Sequence, residues 1–86
     1  MKLISETVVD VLKEKLQVPE SNLCQEFWDL PLTGTHFKRN FVDLVYLLFE
    51  LEATFDVRIS EDYLVSYRFN SINSIVEVLE TIIGKD

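Results

Sequence analysis

The chain is predicted to fold as an all-α bundle of three main helices plus one short helix, in a single domain over residues 1–86. Three observations lead there. Apolar residues recur at helical intervals in three long stretches. Glycine and proline are scarce, two of each, so few positions can break a helix. Hydrophobic residues make up 48% of the chain and charged residues 27%, the balance of a globular protein rather than a disordered one.

The first helix is expected over Leu3 to Leu16, with Leu3, Ile4, Val8, Val9, Val11, Leu12 and Leu16 at helical spacing and Lys13, Glu14 and Lys15 outward. Val18-Pro19-Glu20-Ser21 ends it, because proline disfavours helical geometry at the residue before it. From Asn22 to Asn40 no period is sustained. Pro31 and Gly34 mark a loop, yet Phe27, Trp28, Leu30, Leu32 and Phe37 are too apolar for a free linker, so this segment should pack onto the helices. Trp28 is read as its anchor, and the Lys38-Arg39 pair as solvated charge.

The second helix is expected from Asn40, a good N-cap, to Thr54. It is apolar around most of its circumference, which suits the centre of a bundle, gripped by the other three. Ser60 can cap a short helix from Glu61 to Val65, with Glu61 and Asp62 in the first turn where acids favour the helix dipole. Capping also explains Ser60-Glu61-Asp62-Tyr63 better than calcium binding, which needs alternating ligands and a glycine. Asn70 or Ser71 caps a last helix, Ile72 to Ile83, with Ile72, Ile75, Val76, Leu79 and Ile82 or Ile83 inward and Gly84 as its stop.

Composition narrows function. The net charge is −7 with only eight Lys and Arg, which disfavours phosphate backbones and anionic lipid and suits basic patches on partner proteins. The same acids also serve solubility, and composition alone favours that role over docking. No apolar run exceeds Leu44 to Phe49, far short of the ~20 residues of a membrane span, and no signal-peptide pattern opens the sequence. A cytoplasmic location is the expectation. Cys24 is the single cysteine and is expected to be a buried, inert thiol. His36, the single histidine, has no Cys or Asp/Glu cluster at ligand spacing and no nucleophile beside it. Glu50 and Glu52 stand two apart on a helix, so they do not face each other as an acid–base pair. No catalytic residue and no metal site are assigned; the chain is expected not to be an enzyme.

The stretch Leu48 to Ile82, LFELEATFDVRISEDYLVSYRFNSINSIVEVLETI, resembles an acyl carrier protein. Leu51-Glu52-Ala53-Thr54-Phe55 matches that family's Leu-Glu-x-x-Phe close of helix two, and Asp56-Val57-Arg58-Ile59-Ser60-Glu61 its lead into a short helix. Phe69-Asn70-Ser71-Ile72 resembles the opening of the family's last helix, and VVDVLKEKLQVPESNL its first helix and exit turn. Leu32-Thr33-Gly34 and Asp43-Leu44-Val45-Tyr46-Leu47 are also similar to a narrower group, acyl carrier-related proteins of bacterial peptide-maturation systems that lack the usual serine context. The resemblance implies an acyl-carrier-protein-like bundle.

It also exposes a departure. The family joins 4′-phosphopantetheine to the serine of an Asp-Ser-Leu triplet at the start of helix two. Counting back from Leu51 and Phe55 puts that triplet on Asn40-Phe41-Val42, and Phe41 has no oxygen to form the phosphodiester. Trp28-Asp29-Leu30 is similar to the step before that serine but lies too far upstream, which implies an insertion; Thr33 and Thr35 are the hydroxyls it offers. No cofactor is expected, and 4′-phosphopantetheine enters only if the chain is a genuine carrier of an acyl or aminoacyl group.

In carriers the outer face of helix two is the docking surface. Carried over residue by residue, the resemblance implies a partner-binding face of Phe41, Val42, Asp43, Tyr46, Phe49, Glu50 and Glu52, with Tyr46 and Ala53 where acids would stand. The expected function is non-catalytic docking of a monomer onto a biosynthetic or peptide-modifying enzyme with a basic patch. Changing Asp43 or Glu52 should then weaken capture without unfolding the domain. Equally open is that residues 31–40 fold over Phe41, Val42 and Phe49 and make them core, since a small monomer rarely leaves a large apolar patch bare.

Overall fold

The computed structural model describes residues 3–66 and 68–84. Four α-helices follow in order: α1 (Ile4–Lys15), α2 (Phe41–Phe55), α3 (Asp62–Val65) and α4 (Ile72–Ile83), with two 3₁₀ turns, Glu20–Leu23 and Gln25–Phe27, in the long connection. No strand occurs among the described residues. The predicted all-α bundle of three main helices and one short one is the observed fold.

Local side-chain hydrogen bonds mark where each helix starts. At α2, Asn40 Oδ1 accepts the Asp43 amide at 2.9 Å while Asp43 Oδ2 accepts the Asn40 amide at 3.3 Å, a reciprocal capping box. Ser71 Oγ accepts the Ser74 amide ahead of α4, and Ser60 Oγ the Asp62 amide ahead of α3. The Leu3 amide donates to Glu6 at α1, where Leu3 sits outside the helix and is exposed rather than inward. Ends are equally local. Gln17 and Asp56 adopt left-handed φ of 57°, turning the chain off α1 and α2; for α1 this, ahead of Pro19, is the stop.

The core gathers Val8, Val11 and Leu12 of α1, Leu44, Leu47, Leu48 and Leu51 of α2, and Ile72, Ile75, Val78 and Leu79 of α4. Val78, not Val76 or Ile83, completes the inner stripe of α4: positions 72, 75, 78 and 79 share a face, whereas Val76 lies at its margin and Ile83 on the exposed last turn. The closest-packed pairs of helices are α1 with α4 and α1 with α2. It is therefore α1, not α2, that stands between two long neighbours, and α2 keeps an unpacked side.

The long connection packs down as expected. Leu23, Leu32 and Phe37 are buried, and the Leu32 amide donates to Asn70 O at 2.7 Å. Trp28 anchors it, its indole N–H bound to Leu23 O at 2.9 Å and its carbonyl accepting the Asn73 amide at the start of α4. Arg39 is not solvated charge: its guanidinium donates to Leu16 O and Phe37 O, tying the loop to the end of α1. Cys24 is exposed rather than buried, because it sits at the junction of the two 3₁₀ turns, outside the apolar positions that face inward.

Candidate functional site

The helix that raises a functional question is α2. At about 100° per residue, Leu44, Leu47, Leu48 and Leu51 form one stripe, all of them buried. Val42, Tyr46, Phe49 and Ala53 form a second stripe on the opposite side, and all four are exposed. Val42 keeps 72% of its surface, Phe49 53%, and Phe41 on the flank 56%. The helix is thus apolar on two opposed faces, of which the bundle uses one.

The preceding loop does not cover the other. Its apolar residues are spent elsewhere: Leu32 and Phe37 enter the core, and the Leu32–Asn70 hydrogen bond holds the loop toward α4. His36 is held between Phe27 and Phe37, with ring centroids at 4.1 and 4.7 Å, and its buried Nε2 has no hydrogen-bond partner. The reading in which residues 31–40 bury Phe41, Val42 and Phe49 is overturned by this route of the loop.

Around the bare stripe lie three acids with different commitments. Asp43 is part of the α2 capping box. Glu52 Oε2 accepts the amide of buried Ile59 at 2.7 Å, and its carbonyl accepts the amides of Asp56 and Val57, so Glu52 fastens the end of α2 to the lead-in of α3. Replacing either acid would therefore remove a local hydrogen bond of the fold as well as a charge of the face. Among the described residues Glu50 serves no backbone group with its side chain. Its carboxylate lies one turn after Tyr46, and its hydrogen-bonding influence and negative charge raise the Tyr46 pKa above that of an ordinary phenol. Sequence reasoning placed Glu50 on this face beside Asp43 and Glu52 but could not separate it from them, since those two match the carrier pattern better.

On the flank toward α3, Phe41, Val45, Leu48 and Phe49 meet Glu61, Leu64 and Val65 around an apolar groove of about 190 Å³. The groove shares Phe41 and Phe49 with the face just described. Aromatic and aliphatic anchors rimmed by acids make a surface suited to protein contact.

Other chemistry is sparse. Among the described residues no group of three or more His, Cys, Asp or Glu could hold a metal ion, and no helix is long and apolar enough to cross a membrane. Thr33 Oγ1 faces the Asn70 side-chain amide at 3.3 Å, and Thr35 lies exposed in the same turn. Phe41 is the first residue of α2. Comparison with protein-family models, curated proteins and solved structures finds no match to this chain.

Proposed function

We propose that this chain is an acyl-carrier-protein-like, non-catalytic docking protein that acts as a monomer and engages a partner enzyme through the outer face of α2, in a peptide-maturation setting. The observation that carries this reading is the bare stripe Val42, Tyr46, Phe49 and Ala53, left exposed on a helix whose other side is core. The carrier resemblance supplies the expectation that this face docks, and the net charge of −7 with Asp43 and Glu50 beside the stripe favours a basic partner surface. The resemblance also puts the family's attachment serine at Phe41, where no phosphodiester can form. The partner would therefore recognise the framework and not a bound acyl group.

Two measurements test it. Immobilised protein should retain a partner enzyme from the source cells, release it as salt rises, and lose it with Phe49→Asp but not with Leu30→Asp, an exposed change off α2. Retention unaffected by Phe49→Asp would place docking elsewhere. Intact mass after incubation with coenzyme A and a broad-specificity phosphopantetheinyl transferase should stay unchanged beside a modified control carrier. A gain of one phosphopantetheine would replace the docking reading with that of a working carrier.

A further inference from the structure

The outer stripe of α2 has a spacing with its own meaning. Val42, Tyr46, Phe49 and Ala53 follow at intervals of four, three and four, the seam of a helix that packs lengthwise against another helix. In that register Val42 and Phe49 take one seam position and Tyr46 and Ala53 the other. Asp43 and Glu50 each follow a seam residue by one, and Val45 and Glu52 each precede one. These are the flanking positions whose charges select the partner of a coiled coil. Neither proline nor glycine interrupts α2, and the seam runs about 16 Å at 1.5 Å per residue, some three turns.

Resting on the docking reading above, we propose that the occupant of this seam is a single amphipathic helix of the partner, apolar along one stripe and basic along its flanks. The charge pattern decides among occupants. An antiparallel second copy of this chain would set Asp43 and Glu50 against each other, and a parallel one would set Glu50 beside Val45 and offer it no cation, in both cases between two molecules each carrying −7. A helix with lysine or arginine at its flanks meets those acids with opposite charge. The seam also tapers from Tyr46 and Phe49 to Ala53, so the incoming helix can approach most closely at the C-terminal end of α2, where Glu52 is already fixed by the Ile59 amide.

The test uses the full chain and three synthetic peptides of about three heptads each: leucine at the seam with lysine at the flanks, the same composition scrambled to break the seam, and the seam kept with glutamate at the flanks. Fluorescence anisotropy should show binding of the first only. Phe49→Ala should weaken it at least tenfold, Glu50→Lys several-fold, and circular dichroism should show both variants folded. Equal binding of the scrambled peptide, binding indifferent to Phe49→Ala, or no binding of the basic peptide would overturn the inference. So would light scattering that finds the chain dimeric and Phe49→Asp monomeric, since a second copy would then own the seam. Failure of the peptide while partner capture still depends on Phe49 removes the helix and leaves the docking face. Capture that ignores Phe49 removes the docking face itself.

Discussion

The two apolar sides of α2 belong to the same fifteen residues and meet opposite fates. The inner side is four leucines, Leu44, Leu47, Leu48 and Leu51, interlocked with α1 and the rest of the core. The outer side is valine, tyrosine, phenylalanine and alanine, uneven in size and carrying one hydroxyl. Hydrophobicity alone does not distinguish them. What does is the texture of each stripe: uniform leucine fills a close-packed interior, while mixed aromatic and small residues beside acids are the makings of a contact surface.

Neighbours on α2 offer the sharpest way to break that contrast. Leu48 is 1% exposed and Phe49 53%. Leu48→Ala should cost about 2–5 kcal/mol of stability by opening a cavity. Phe49→Ala should cost about 1 kcal/mol or less, because half its side chain never left water. Chemical denaturation of both variants measures the difference, and equal losses would mean that the outer face is packed after all.

A middle-sized effect lies between the two faces. Glu52→Ala leaves the amide of buried Ile59 without its acceptor, a loss of about 1–3 kcal/mol. Glu52→Gln, which keeps an oxygen in place, should recover part of it. Hydrogen exchange at Ile59 should quicken in the alanine variant, and an unchanged rate would mean that the bond carries no protection.

The smallest effect is electrostatic. Glu50→Gln should lower the Tyr46 pKa toward that of an ordinary phenol, read by phenolate absorbance. The sign follows from linkage: a phenol whose pKa is raised in the fold favours the folded state below its unfolded pKa. That contribution is lost as pH rises through the folded value. The wild type should therefore lose slightly more stability than Glu50→Gln across the alkaline limb. Identical alkaline limbs would show the Tyr46–Glu50 pair to be uncoupled from folding.

Much of this architecture was legible in the residues, and the failures have a common cause. Asn40 announced the start of α2 because capping is a matter of three residues and one side chain. Ser60 and Ser71 did likewise for the later helices. The fate of Phe41, Val42 and Phe49 stayed open because it depends on where residues 31–40 travel, and that is decided by the Leu32–Asn70 hydrogen bond between segments distant in sequence. Glu52 looked like a free acid because its bond to Ile59 needs the left-handed turn at Asp56 first. Arg39 looked solvated for the same reason, its acceptor Leu16 lying on the far side of the loop. The candidate face was named residue by residue in advance. What the sequence could not divide was the acids that hold the helix, Asp43 and Glu52, from the one left to the face, Glu50.

The pairing of α1 with α4 has a consequence for how the molecule comes into being. Val8 and Leu12 lie on α1, and Ile75 and Leu79 lie on α4, which is made after α2 and α3. On a ribosome, α1 emerges with its inner stripe finished and only α2 to lie against, and it must wait while α3 and the turns around it are synthesised. Closing the loop between the two ends is the slow, entropic part of assembly, since no gain from the α1–α4 contact arrives until the loop is shut. A nascent chain halted before Ile72 should thus remain open to proteases and chaperones, and protection should arrive late and all at once, when the fourth helix clears the exit.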